Sequence, residues 1–455
     1  MGFCEKYQSH FIAKGRNSIG HARDYLTGLL GTQRRKNIET IENDVPGSDY
    51  QGMEQFISSS PWCHKSLMND VARDADDLLG DEHEAGFMLD ESSFLKKGKS
   101  SVGVHRQWSG RAGKLENCQV GVFASLTRGD EFALVDFRLY LPEDWANDEE
   151  RCEKAKIPMP HRIYQPKWVQ AIEMVKQARS NGVRFGWVGA DSLYGNNQQF
   201  LNALEDDGEN FMADIHRTLK VWLECPDFEE PNPGNGKIGR PVKRPRLKVG
   251  FDRSVEQTVE KVAREHFEDE CQEVTFRQGT KGALTSRFWT RTVWIWDEKK
   301  GSKPRMRTLL IREDESGELK YSLTNLPIET SLPRLAYMQN QRYWIENAFH
   351  ESKSQLGMAQ YQVRVWQGWH HHMALVCMAT VFMAREKRRC HVELPLLSYR
   401  DIVELLDYYL PRRRREEKEV LAQISKRHAA RQSDIDRRKR KKPGLRTSID
   451  LTKQN

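Results

Sequence analysis

The 455-residue chain has no apolar segment long enough to cross a bilayer. Its longest strongly apolar run, Met373 to Ala384, falls short of the roughly 20 residues a spanning helix needs, so the expectation is a core helix. The 8 cysteines, at 4, 63, 118, 152, 225, 271, 377 and 390, form no CxxC pair and no finger-like spacing, and they read as reduced cytosolic thiols. A secretory signal is missing, and MGFCEK has no Ser or Thr at position 6 for a myristoylation motif. There is no phosphate loop either: Gly98-Lys99-Ser100 would need glycine at 93, which is Ser93. Gly234, Gly236 and Gly239 match GxGxxG, but they follow PNP and precede GRP rather than joining a strand to a helix, which argues against dinucleotide binding. His370, His371 and His372 are adjacent, so on a helix they point in different directions, which suits structural or DNA-facing roles better than zinc. Basic surplus is scarce outside one segment: residues 411–455 hold 16 Lys+Arg against 6 Asp+Glu, a surplus of 10 against +7 for the whole chain, so the remainder is at −3. That tail reads equally as an arm on DNA or a solubilising end. What remains, 38% hydrophobic and 30% charged residues, is a soluble globular composition of a length that suggests two to four domains.

Two aspartates close apolar strands. In EAGFMLDESSF, Gly86 to Leu89 form a buried-strand pattern that delivers Asp90 at its end. PKWVQAIEMVKQARSNG then reads as a helix, with Trp168, Ile172 and Val175 at helical spacing and Asn181-Gly182 as its stop. VRFGWVGADSLYG follows as an aromatic and β-branched strand ending on Asp191. A helical crossover makes the two strands parallel. Carboxylates held a few ångströms apart repel unless cations sit between them, and magnesium suits such an oxygen site.

RYWIENAFHESKSQLG supplies a third acid. At 100° per residue Arg342 lies about 40° from Glu346 and Lys353 about 20°, so all three share a face. Ile345, Phe349, Ser352 and Leu356 form the neighbouring, mostly apolar stripe, and Gly357 is the expected stop. Taken alone, this is also the pattern of a solvated helix with an i,i+4 ion pair worth about 0.2 to 0.5 kcal/mol.

Together, FMLDESSFLKKGKSSVGVHRQWSGRAGKLENCQVGVFAS, VGADSLYG and RYWIENAFHESKSQLGMAQYQVRVWQGWHHHMALVCMA resemble the DDE transposases of bacterial insertion sequences, over roughly residues 20 to 385. The branch resembled carries a Tyr-Arg-Glu-Lys signature and a β-rich insertion. The resemblance implies an RNase H-like α/β core with Asp90, Asp191 and Glu346 as a metal triad holding two Mg²⁺ or Mn²⁺ ions, and with Arg342 and Lys353 as the signature's basic members. Its tyrosine falls at Gln339, with Tyr337 and Tyr343 nearby. It implies a DNA transposase of the bacterial cytosol, associated with the nucleoid, which cleaves its element's ends and joins them to target DNA as a homodimer. The same chemistry without strand transfer would be a nuclease, and loss of catalysis would leave an end-binding regulator.

The expected layout is a helical end-binding domain at 1–80, core segments at 81–216 and 326–395, a β-rich insertion at 217–325 and a basic tail at 396–455. The separation of 155 positions from Asp191 to Glu346 exceeds any single connection, and the segment holds alternating runs such as SRFWTRTVWIWDE. Expected DNA contacts are Arg34, Arg35, Lys36 and Lys65 in the helical part, where Ser58 to Ala75 also allows a helix-turn-helix. Lys96 and Lys97 lie beside the site, and Arg240, Lys243, Arg244 and Arg246 lie in an acid-free extended segment. Lys96 and Lys97 read almost as well as a solvated turn. Trp366 and Trp369 are expected to pack in the core rather than stack on a base.

Overall fold

The computed structural model describes residues 2–33, 35–110, 112–231, 244–279, 282–298, 301–390, 393–394, 396–413 and 416–441. Four helices longer than one turn precede the first long strand: α1 (Ile19–Leu30), α2 (Ile38–Asp44), α3 (Tyr50–Ser58) and α4 (His64–Leu79). Their apolar residues recur at helical spacing, as with Leu67, Val71, Ala75 and Leu79, all buried along α4. Asn37 and Asp49 cap α2 and α3 by accepting backbone N–H bonds from Thr40 and Gly52.

The chain then builds β1 (Gly86–Leu95), β2 (His105–Ser109), β3 (Lys114–Arg128) and β4 (Glu131–Leu139). After the crossover helix α5 (Lys167–Ser180) come β5 (Trp187–Ala190), the short helix α6 (Ser192–Gly195), α7 (Gln198–Asp206) and β6 (Phe211–Ile215). β1 pairs antiparallel with β3 from Gly86↔Thr127 to Leu95↔Cys118, and β3 pairs antiparallel with β4. β1 and β5 are parallel from Gly86↔Trp187 to Leu89↔Ala190, as the crossover argument requires, and β6 continues the parallel run. The order β4–β3–β1–β5–β6 is consistent with an RNase H-like core.

Beyond helix α8 (Val259–Glu270), strands β7 (Gln272–Gly279), β8 (Gly282–Ile295), β9 (Arg305–Glu313) and β10 (Leu319–Thr324) form an antiparallel meander. β10 pairs with β6, so the meander extends the central sheet at that edge, and β2 lies along β3 at the other. Among the described residues this mixed sheet has ten strands. Helices α9 (Leu332–Gln341), α10 (Tyr343–Ser354), α11 (Trp366–Cys390), α12 (Tyr399–Tyr409) and α13 (Glu417–Lys441) follow.

Met373 to Ala384 lies in α11 and is almost wholly buried, packed on β4, α4, α3 and α1. One apolar cluster therefore runs from the N-terminal helices through the sheet. No helix among the described residues is long and apolar enough to cross a membrane. The three histidines are buried on the same helix. His371 faces the Ile57 and Trp62 carbonyls at 2.9 and 3.0 Å, and His372 meets the Tyr25 hydroxyl at 2.8 Å. Trp369 is likewise fully buried, so core packing accounts for it. All 8 cysteines are free.

Candidate active site

Sheet geometry brings the first two acids together. Gly86 to Leu89 are buried, and Asp90 follows at the point where the parallel partner β5 ends. One residue past β5, Asp191 caps α6 and accepts the Leu193 N–H at 3.0 Å. The turn is held tightly: a Cβ added at Gly195 would lie 1.9 Å from the Asp214 carbonyl oxygen on β6. The third acid comes from α10, which carries Glu346 and Lys353 and stops at Ser354, with Gly357 behind it at φ +70°. Asp90, Asp191, Glu346 and Lys353 line one cavity of about 1200 Å³, together with Glu91, Lys167, Trp108, His216 and His350.

Burial pushes the Asp90 carboxyl well above the usual carboxylate range, and repulsion from Asp191 adds to it. Asp191 is raised too, mainly by burial, with Arg342 pulling the other way. Arg342 is the counterweight. Burial opposes its charge, but Asp214, Glu346 and Asp90 outweigh burial and raise its pKa. Its Nε donates to Asp214 at 2.5 Å and its Nη1 to Glu346 at 2.6 Å. Among the described residues no three His, Cys, Asp or Glu side chains gather tightly enough to hold a metal. Even so, the donor set fits a hard cation. Two partly buried carboxylates repel across the cavity, a strain that a divalent ion would relieve, and Glu346 is half-exposed on the same cavity.

Two residues here escaped the sequence reading. Glu91 accepts from the Tyr194 hydroxyl at 3.1 Å and pairs with Lys167 at 3.4 Å, beside Asp90 and Asp191. Its position next to Asp90 and the position of Lys167 at the start of α5 were the available signals. The predicted contacts scatter more widely. Lys96 lies over the Tyr361 ring at 3.6 Å, and burial lowers its pKa to about 8; Lys97 is exposed. Lys65 is exposed on a separate cavity of about 740 Å³ that Arg138 and Trp366 also line. Arg35, Arg244 and Arg246 are exposed, the last paired with Glu229 at 2.9 Å. Arg34, Arg240 and Lys243 lie outside the described residues.

Lys36 requires a correction. Its side chain is 3% exposed and its ammonium is spent on the Leu29 and Gln355 carbonyls, with its pKa lowered to about 7 by burial, so it presents no charge to a phosphate. Gln339 is also enclosed and bonds Ser322. Tyr337 spends its hydroxyl on the backbone of Glu84 and Gly129, whereas Tyr343 is 47% exposed.

Comparison with known proteins bears on this arrangement. A family model described as DDE superfamily endonuclease matches residues 13–283, a span that contains Asp90 and Asp191 and ends before Glu346. A protein described as a probable transposase for insertion sequence element IS701, from Microchaete diplosiphon, is 26% identical over 234 residues, 49% of this chain and 54% of that protein. The chain thus spans about half the length of this curated relative. Among solved structures, the NurA nuclease from Sulfolobus solfataricus aligns over 73% of this chain and 96% of its own at 9% identity and a TM-score of 0.25, a likeness too slight to carry any argument.

Proposed function

Since the chain belongs to the DDE superfamily endonuclease family, we propose that it is an insertion-sequence transposase that cleaves DNA at its element's ends and joins the 3′-hydroxyls to target DNA. The observation that carries this reading is the convergence of Asp90, Asp191, Glu346 and Lys353 on one cavity, with Arg342 bonded to its rim. Similarity to the IS701 transposase supports it.

Asp90 and Asp191 would hold the divalent cations and Glu346 would complete the site. Bound Mg²⁺ or Mn²⁺, two ions, would supply activation of the attacking oxygen and stabilisation of the leaving 3′-oxygen. Lys353 and Arg342 would hold the scissile phosphate and offset its developing charge. A carboxylate site of this kind transfers the phosphoryl group directly between oxygens, without a protein nucleophile. Lys97, Lys65, Arg35, Arg244 and Arg246 remain surface candidates for the sequence-independent phosphate contacts that fix DNA register. The N-terminal helices would bind the terminal inverted repeat, and two copies would bring both ends together.

The test is a gel assay of the full chain with labelled DNA carrying the ends that flank its gene, in Mg²⁺ or Mn²⁺, beside Glu346→Gln. Cutting and joined products, both lost in the variant, are expected. Cutting without joining would leave an endonuclease, the step the family description names. Binding with neither product would leave an end-binding regulator.

A further inference from the structure

We propose that Asp214, Ser322 and Gln339 form a positioning chain that aims the Arg342 guanidinium between Glu346 and the catalytic cavity. On this view the glutamine at the signature's tyrosine position serves the site through Arg342 rather than by contact with DNA. The proposal rests on the reading of Asp90, Asp191 and Glu346 as a phosphoryl-transfer centre.

The path is continuous. Ser322 on β10 stands directly opposite Asp214 on β6, and its hydroxyl donates to Asp214 Oδ1 at 2.7 Å. From α9, Gln339 Nε2 donates to Ser322 Oγ at 2.8 Å. The other oxygen of Asp214, Oδ2, takes Arg342 Nε at 2.5 Å, and Arg342 Nη1 reaches Glu346 Oε1 at 2.6 Å. The direction of the bonds is fixed by chemistry. The amide nitrogen of Gln339 can only donate and the hydroxyl of Ser322 has a single proton, so that proton must go to Asp214. Ser322 is fully buried and Gln339 is 6% exposed, so water does not compete at that end, and bonds polarised in one sense reinforce each other.

Asp214 also keeps two cations compatible. Arg312 lies in electrostatic reach of both Asp214 and Arg342, and its own charge is disfavoured by burial and by Arg342. Without the aspartate, the mutual repulsion of the two guanidiniums would lose the negative charge that offsets it. The pair also governs how strongly Arg342 holds Glu346. A guanidinium shared with Asp214 leaves Glu346 exchangeable, whereas one that has lost Asp214 concentrates its charge on Glu346, and a divalent ion must then compete harder for that carboxylate. The packing of Gly195 on the Asp214 backbone ties the same strand to the Asp191 turn, so the chain has a rigid base.

The experiment compares the full-length protein with Asp214→Asn, Ser322→Ala, Ser322→Thr and Gln339→Met, each first matched for thermal stability. One readout is the Mn²⁺ concentration that half-saturates cleavage of end DNA. The other, independent of activity, is hydrogen exchange at the Arg342 Nε–H in arginine-¹⁵Nε-labelled protein, its signal assigned by its loss in Arg342→Lys. Asp214→Asn is expected to raise the half-saturating Mn²⁺ about 10-fold or more and to speed Nε–H exchange. Ser322→Ala and Gln339→Met should do the same more weakly, with Ser322→Thr restoring both. A loss of fold alone would lower the amount of active enzyme and leave the half-saturating concentration in place. If folded Asp214→Asn and Gln339→Met match wild type in both readouts, the chain is overturned while the catalytic reading stands. If wild type cuts no DNA, the catalytic reading fails, and the exchange data alone decide: protection lost in Asp214→Asn upholds the chain, and equal exchange overturns it.

Discussion

Two groups of ionisable side chains make an instructive pair: the acids Asp90, midway along β1, and Asp191, just past β5, and the three buried histidines of α11. In both, burial drives the group towards its neutral form, so Asp90 and Asp191 are raised while His371 falls to about 4 and His372 to about 3. The groups differ in their partners. His371 and His372 meet backbone carbonyls and a tyrosine hydroxyl, and Trp62 stacks on His371 at 3.6 Å between ring centroids. The aspartates face an open cavity, with one another as neighbours and Arg342 as the counter-charge. Paired burial marks a structural group; burial with like-charge repulsion beside a cavity is the pattern that a functional site shows.

The hardest test of this contrast lies in the acids. Asp90→Asn, Asp191→Asn and Glu346→Gln should each cut the cleavage rate about 10³-fold or more, because groups acting as a unit fail together. End binding should stay near wild type, and the folded fraction should be undiminished. Full cleavage activity in any one of them removes that residue from the site. The opposite pattern is expected at His371. Replacing it with Ala removes the single N–H that the neutral ring donates to the Ile57 or Trp62 carbonyl and opens a void under Trp62, costing about 2 to 4 kcal/mol of stability in a denaturant titration. Cleavage per folded molecule should not change; a specific catalytic loss would erase the distinction between the two clusters.

Gly195 probes the boundary between packing and chemistry. An Ala there drives a methyl into the Asp214 backbone, which cannot swing aside as a side chain can. The strain should cost about 1 to 3 kcal/mol and also disturb both Asp191 and Arg342, so cleavage of end DNA should fall more than the loss of folded protein explains. Strictly proportional losses would mean that the turn only packs.

Sequence reached the acids because their placement is local. A strand pattern that delivers Asp90 or Asp191, and a helical pattern that puts Glu346 and Lys353 on one face, need only short-range geometry, although β1 runs on through Asp90 to Leu95 and Arg342 sits at the junction before α10. Lys36 was misread for the complementary reason. QRRKN looks like an exposed basic loop, but the segment around Gln355 and Gln360, over 300 residues away, folds across it. Asp214 and Ser322 were invisible because their pairing depends on strand register across 108 residues. The alternation of 272–324 announced strands but not the edge they join, since period-2 patterning defines faces and not neighbours.

The smallest effect sharpens the comparison through its sign. Carboxyls raised in the folded state hold protons that the unfolded chain has already released, so their contribution to stability is full below the unfolded pKa near 4 and is lost as pH rises through their raised folded values. Histidines lowered in the folded state do the reverse. Their contribution is present above the unfolded pKa near 6.5 and is lost as pH falls towards about 4 for His371 and about 3 for His372. Between pH 4 and 6.5 the two clusters therefore oppose each other. Removing one acid with Asp90→Asn should steepen the rise of Tm with pH over that window and lift Tm at neutral pH by about 2 °C in scanning fluorimetry without metal. Adding Mn²⁺ at pH 7.5 should raise the wild-type Tm by a similar amount through binding to the folded state, with little effect on Asp90→Asn. Superimposable pH curves for the two proteins would show that the aspartates carry no repulsion for a cation to relieve.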